Sequence, residues 1–160
     1  MATAKSRPMT QSDFHAKLAK ELPPLLDNMP LDFKAKDDWL ASMRCEKGAI
    51  LKLSKILNEI FGFEHFSLVT AVDRLDKFEL IYHITSYQNH CMLEIRVAVP
   101  KDDAKVPSVT PVWGGANWHE REAYDMMGIV FEGHPDPRRI LLPQDYLYFP
   151  LRKDFNMEGE

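Results

Sequence analysis

The sequence predicts an α+β fold of two layers, a small, mainly antiparallel or mixed sheet backed by helices, with an extended proline-rich arm at its C-terminal end. Three observations carry this. Two consecutive segments alternate with the period of a strand: Phe78, Leu80, Tyr82 and Ile84 against Glu79, Ile81, His83 and Thr85, then Leu93, Ile95, Val97 and Val99 against Glu94, Arg96 and Ala98. Residues 48–61 instead place Ile50, Leu53, Ile56, Leu57 and Ile60 at helical spacing, with Lys52, Lys55 and Glu59 between them. Finally, Pro135, Pro137, Pro143 and Pro150 crowd one late segment. Proline fixes φ and removes a donor, so that segment is neither a regular helix nor an inner strand.

The remaining elements follow in order. Residues 1–11 read as a flexible polar arm. A helix starts with Ser12 as its N-cap, carries Phe14, Leu18 and Leu22 on one face, and is ended or bent by Pro23 and Pro24. Residues 38–43 form a short strand. Gly62 closes the helix of residues 48–61. A strand over 66–72 precedes the two alternating ones, and residues 73–77 have the length of a hairpin connection. Strands so closely linked predict an antiparallel meander with helices on one face. Residues 100–111 are a polar loop containing Lys101 and Lys105. Asn117 caps the next helix with Glu120 at its third position, an Asn form of the capping box, and Gly128 ends it. The division expected is an arm at 1–11, one α+β domain at 12–133 and a docking arm at 134–160.

Composition bounds the function. The 160 residues, 45% hydrophobic, suffice for one domain with a real core. A net charge of −4 disfavours non-specific binding to nucleic acid or anionic membrane. No apolar run approaches the roughly 18 to 20 residues that span a bilayer, so membrane association goes through a partner. Cys45 and Cys91 are too few for an iron–sulfur site and read as free core thiols. Lys5 and Arg7 flank no apolar signal segment, and Asp13 and Glu21 soon follow, so a cytoplasmic protein is expected.

The candidate chemistry is sparse. His119 and Glu120 begin like a zinc-protease helix, but Ala123 stands where its second histidine belongs. A free-standing hydrolase built on His119, Glu120, Glu122 and Asp125 is the remote alternative. His134-Pro135-Asp136 reads as a turn whose side chains bond the backbone. Arg121 and Asp125, at i and i+4, read as a buried ion pair, with Glu122 facing elsewhere. Between residues 134 and 155, Arg138, Arg139, Arg152 and Lys153 are interleaved with Asp136, Asp145 and Asp154. That near balance suits pinning an arm to its own domain or to a partner. Ile140, Leu141, Leu142, Tyr146, Leu147, Tyr148, Phe149, Leu151 and Phe155 are more apolar mass than such an arm can bury against itself.

Residues 118–136, Trp-His-Glu-Arg-Glu-Ala-Tyr-Asp-Met-Met-Gly-Ile-Val-Phe-Glu-Gly-His-Pro-Asp, lead through Arg138-Arg139-Ile140-Leu141-Leu142-Pro143 to Pro150-Leu151-Arg152-Lys153-Asp154-Phe155. This run closely resembles the signature of the 30-kilodalton subunit family, the C-subunit of proton-pumping NADH:quinone oxidoreductase (respiratory complex I). Upstream, Leu68-Val69-Thr70-Ala71-Val72-Asp73 is similar to the strand before that family's first hairpin. The resemblance implies a non-catalytic structural subunit of the peripheral quinone module, on the cytoplasmic face of a bacterial inner membrane. It implies no cofactor in this chain, with FMN, iron–sulfur clusters and quinone in partner subunits. It also implies packing against the quinone-site subunit (the D-subunit of the same complex) and neighbouring iron–sulfur subunits. Glu120, Arg121, Glu122, Tyr124, Asp125, Gly128, His134 and Asp136 correspond to structural signature positions. Arg138, Arg139, Ile140, Leu141, Pro143, Pro150, Leu151, Arg152, Lys153, Asp154 and Phe155 correspond to the partner-docking run. The equivalent subunit of a membrane-bound hydrogenase, or of an oxidoreductase fed by ferredoxin or deazaflavin, is the alternative within the resemblance. There is one departure: the family usually carries Trp-x-Gly between the positions of Asp145 and Pro150, where this chain has Tyr146-Leu147-Tyr148-Phe149.

Overall fold

A computed structural model describes residues 10–156. Helix α1 (Gln11–Leu25) is capped by Thr10, not by Ser12. Thr10 Oγ1 accepts the Asp13 amide at 3.2 Å, while Asp13 Oδ2 accepts the Thr10 amide at 2.9 Å. The Thr-x-x-Asp spacing completes a reciprocal box, whereas Ser12 has His15 three residues on. Gln11 is therefore helical; the rest of the expected N-terminal arm, residues 1–9, lies outside the described residues. Pro23 and Pro24 neither stop nor precede the end; they stand inside the last turn. The carbonyls they leave without a donor there belong to Ala19 and Lys20, which are exposed to solvent.

The sheet is mixed, in the order β1-β2-β5-β4-β3. Strands β3 (His65–Asp73), β4 (Lys77–Ser86) and β5 (Cys91–Pro100) form the expected antiparallel meander. β2 (Leu40–Cys45) lies parallel to β5, with Leu40 opposite Met92, and β1 (Lys34–Ala35) is a short antiparallel edge. The sheet is thus mixed, within the fold class expected: a helical crossover, α2 (Ile50–Glu59) after a 3-10 turn at Lys47–Ala49, follows β2 and makes its pairing with β5 parallel. Gly62 takes φ +70°, and the Phe63 amide closes back on the Leu57 carbonyl at 3.0 Å. The alternation in β4 falls as its pattern requires, with Phe78, Leu80, Tyr82 and Ile84 buried and the intervening residues half-buried. These side chains, with Leu93, Ile95, Val97 and Val99, meet Phe14, Leu18 and Leu22 of α1 and Leu53 and Leu57 of α2 in one core.

Residues 100–111 are not all loop. β6 (Lys105–Pro107) pairs in parallel with β7 (Val130–Glu132), a second sheet that no alternation announced. α3 (Ala116–Met127) lies between them in sequence and packs on β3. Cys45 and Cys91 are buried free thiols, each pushed up to about 12, chiefly by burial. Residues 133–156 contain neither helix nor strand. From Pro143 to Phe155 the expected arm is folded into turns and is not extended, with backbone bonds from Tyr146 to Pro143, Arg152 to Phe149 and Phe155 to Arg152. Pro150 occupies the second position of the middle turn, where its fixed φ is an asset.

Candidate docking site

Three charged residues of α3, Glu120, Arg121 and Asp125, point inward, while Glu122 is exposed. The N-cap of the helix is Gly115, which makes no side-chain cap; Asn117 caps nothing, and the capping box expected with Glu120 does not form. Glu120 is fully buried and reaches a different chain segment. It accepts from Ser108 Oγ at 2.6 Å and from the Val109 amide at 2.8 Å. Burial pushes its carboxyl up to about 7, against the opposing pull of those two donors. His134 stands nearby, 3.9 Å from Glu120, with its side chain only 2% exposed. Its Nδ1 accepts the Asp136 amide at 3.0 Å, which leaves the ring proton on Nε2, 3.2 Å from the Asn117 carbonyl. A cavity of about 250 Å³ opens between these groups and Tyr124, Val130 and Phe131.

Arg121 and Asp125 are both buried, but they do not pair with each other as their spacing suggested. Arg121 donates to the Arg138 carbonyl at 2.8 Å and the Arg139 carbonyl at 3.2 Å, and lies 3.4 Å from Asp136. Asp125 accepts Arg139 Nη1 at 2.6 Å through one oxygen. Its other oxygen accepts the amides of Ile140, Leu141 and Leu142 at 2.7–3.0 Å. Arg139 and these amides outweigh the burial that opposes ionisation and hold the Asp125 carboxyl below its usual range. A single carboxylate thereby fixes the entry of the C-terminal segment onto the helix.

The guanidinium of Arg139 is itself buried and stacks on Phe149 at 5.1 Å and on Tyr124 at 5.8 Å. Arg152 covers the other side of the clamp, 4.6 Å from the Phe149 ring, and donates to the Met127 carbonyl at 2.6 Å. A cation there also complements the C-terminal end of the helix dipole. Phe149 is thus the ring held between two arginines. Gly128 ends α3 at φ +73°, as expected, and a Cβ there would lie 2.5 Å from Arg152 and 2.7 Å from Phe149. Beyond it the Leu151 amide bonds the Met126 carbonyl at 3.1 Å, and the Lys153 amide bonds Asp73 at 3.0 Å.

The expected docking residues therefore divide. Arg139 and Arg152 are spent on their own chain, and Arg138 stays at the surface, paired with Asp136 at 2.6 Å. Ile140 and Phe155 are half-buried, while Pro143, Lys153 and Asp154 are exposed and Pro150 is half-buried. Leu141, Leu147 and Leu151 are 62%, 79% and 58% exposed. Asp73 was not anticipated as an anchor; buried on the sheet, it also accepts Lys101 Nζ at 2.9 Å. Lys101 is consequently no bystander in a polar loop. The hydrolase set does not converge, since Glu122 is exposed while Glu120 and Asp125 serve separate internal partners. Among the described residues, no three His, Cys, Asp or Glu side chains gather as a metal site.

This fold recurs in solved structures. A structure of the membrane-bound sulfane sulfur reductase, an archaeal respiratory membrane complex, contains a chain that superposes with a TM-score of 0.75 at 25% identity, covering 88% of this chain and 86% of that one. A trypsin-resistant fragment of Nqo5 superposes with a TM-score of 0.61 at 26% identity, covering 76% and 98%. Residues 43–160 match the model of the family described as respiratory-chain NADH dehydrogenase, 30 Kd subunit. The NADH-quinone oxidoreductase C-subunit of Geotalea uraniireducens is 43% identical over 116 residues, 71% of each chain. That of Moorella thermoacetica is 41% identical over 113 residues, 69% of this chain and 76% of its own. The chain belongs to the 30-kilodalton subunit family of respiratory-chain NADH dehydrogenase.

Proposed function

We propose that this chain is a non-catalytic structural and assembly subunit in the peripheral quinone module of proton-pumping NADH:quinone oxidoreductase. It holds the quinone-site subunit and the neighbouring iron–sulfur subunits in register on the cytoplasmic face of the membrane. Electrons from NADH then pass through FMN and iron–sulfur clusters in those other subunits to quinone. The observation that carries this reading is the division of the C-terminal segment. Its backbone is fixed from within by Asp125, while Leu141, Leu147 and Leu151 face solvent on that rigid backing. Exposed apolar groups on preorganised backbone suit docking, because little freedom is lost on binding. No helix among the described residues is long and apolar enough to cross a membrane, which fits attachment through partners.

The sulfane sulfur reductase likeness favours a second reading, the equivalent subunit of a differently fed membrane complex. The identity of 43% to a C-subunit of NADH-quinone oxidoreductase, against 25% to the sulfur reductase chain, supports the first. The test is capture of the tagged chain from detergent-solubilised membranes, for wild type and for Leu147→Asp with Leu151→Asp. Wild type should bring down the quinone-site, iron–sulfur and NADH-oxidising subunits. The double variant should fold normally yet lose them, and its membranes should lose quinone reduction while NADH oxidation by artificial acceptors survives. Normal recovery of partners by a folded double variant overturns the docking role. Co-purification with a hydrogenase or sulfur-reducing catalytic subunit favours the second reading.

A further inference from the structure

Strand β3 is one edge of the five-stranded sheet and pairs with β4 alone. On its other side, alternate N–H and C=O groups therefore point away from the sheet. The opposite edge, β1, is only two residues long, and Lys34 and Lys36 flank its Ala35. Shortness and lysines are what keep an edge from pairing. β3 has neither: it runs for nine residues, and residues 66–72 include no charge and no proline. A register shift between Phe66 and Leu68 bends its first part and leaves 68–72 as the regular edge. Among the described residues, no hydrogen bond other than those to β4 reaches the backbone of 68–72. Thr70 is exposed there, and Leu68, Ala71 and Val72 are half-buried. This edge adjoins the C-terminal segment. The Lys153 amide bonds Asp73, the last residue of β3, and the Leu151 amide bonds Met126 of α3. Val69, Thr70 and Ala71 floor a slot of about 70 Å³ that is walled by His119 and Met126 and bounded by Leu151. Successive residues of a strand point to opposite faces, so a slot touching three in a row lies against the edge backbone and not against a face.

We propose that an extended segment of the partner subunit that covers Leu151 adds to β3 as a sixth strand of this sheet. The chemistry left open selects the occupant. What is unpaired is a row of backbone donors and acceptors at strand spacing, and another extended backbone is the group that matches every one of them. Main-chain bonds then supply attraction without a particular sequence, and the slot supplies selection: it takes a small side chain on the helix side, between Ala71 and Met126. Continuity with Leu151, which is 58% exposed, selects a partner subunit over a second copy of this chain, because one partner then covers the leucine and the edge together. The inference rests on the reading that the C-terminal segment docks a partner, and it adds to that reading the mode of binding and a second surface.

The test is hydrogen exchange at single-residue resolution, compared between the isolated full chain and the detergent-solubilised complex. Alternate amides of 68–72 should exchange freely in the isolated chain and slow by at least about a hundredfold in the complex, while those between them, already bonded to β4, change far less. Unchanged rates overturn the inference, and so does uniform slowing of every amide in the strand, which would mark general stabilisation. A second arm uses Thr70→Pro and Ala71→Pro. Neighbouring residues of an edge strand turn their N–H groups to opposite sides, so one of the two prolines removes an outward donor and leaves the pairing with β4 intact. The variant that melts nearer to wild type should be recovered in the complex at least about tenfold less than wild type. Full recovery of that variant overturns the inference, and if both variants unfold the exchange rates decide alone. A dimer of the isolated chain in sedimentation, with the same alternate amides protected, would make the occupant a second copy and likewise overturns it. Failure of the chain to copurify with any other subunit would instead defeat the functional reading above, so the two failures are distinguishable.

Discussion

Removing the Asp125 carboxylate tests the structure at its most loaded point. Asp125→Ala leaves the Arg139 guanidinium buried without its counter-charge and frees three backbone amides at once. Breaking a buried ion pair by deleting one partner costs about 3–5 kcal/mol. The amides add less than their full desolvation cost, because Leu141 is exposed and water reaches that stretch once the segment loosens. At roughly 2–4 °C per kcal/mol for a chain of this size, the melting temperature should fall by about 6–20 °C. Asp125→Asn keeps an acceptor for the amides and should fall less. Asp125→Leu with Arg139→Met replaces both charges and should recover part of the loss. Thermal unfolding of the purified chain by circular dichroism measures all three. A single Asp125→Ala melting within about one degree of wild type would show that the segment does not depend on this carboxylate, and the proposed rigid backing would fail with it.

Arg121→Ala should also lower the melting temperature by several degrees, through loss of bonds to the Arg138 and Arg139 carbonyls, and a double-mutant cycle with Asp125→Ala should show coupling through the shared segment. Glu120 predicts a pH dependence of defined sign. Its folded carboxyl titrates at about 7, above the ordinary 4.5, so its contribution is complete below 4.5 and is lost as pH rises through 7. Denaturant titrations between pH 5 and 8 should therefore show stability falling with pH on this account, on the order of 3 kcal/mol, and Glu120→Gln should flatten the slope; an unchanged slope refutes it. Gly128→Ala should free the segment from the helix, because the methyl group meets Arg152 and Phe149; hydrogen exchange at the Leu151 amide should rise by at least about tenfold.

The parts legible in the sequence were those written in local period. Strand alternation in 78–85 and 93–99 fixes which side chains are buried before any partner strand is known. It says nothing of who pairs with whom, and the parallel pairing of β2 with β5 depends on a crossover that no residue of either strand encodes. The same limit explains the side chains misassigned within α3. Arg121 and Asp125 have the spacing of an intrahelical pair, and Glu120 has that of a capping residue. Both local solutions lose to longer-range ones, since Asp125 gains four donors from 139–142 and Glu120 gains Ser108 and Val109 from another segment. Asp73 had a local signal too, its bond to the Leu75 amide at 2.9 Å within the hairpin, but nothing nearby marks its ties to Lys101 or Lys153.

Two populations of residues therefore occupy one continuous signature. Arg121, Asp125, Gly128 and His134 face inward and set where the backbone of residues 134–153 runs, while Glu120, also inward, is tied to Ser108 and Val109. Leu141, Leu147 and Leu151 face outward, with more than half of each exposed. If docking is what the segment does, the two populations must fail differently. A change in the inward set loosens the isolated chain and, by restoring entropy to the segment, weakens assembly as a second effect. A change in the outward set leaves the isolated chain at its normal melting temperature and appears only when partners are present. Asp73 sharpens the distinction, because it joins the segment to the sheet through Lys153 and holds Lys101 with the same oxygen. Burial raises its carboxyl, but Lys101 and the amides of Lys153 and Leu75 prevail and hold it at about 2. The link is thus intact above the ordinary carboxyl range and is lost only as pH falls towards 2, so at neutral pH Lys153 stays tied to the sheet.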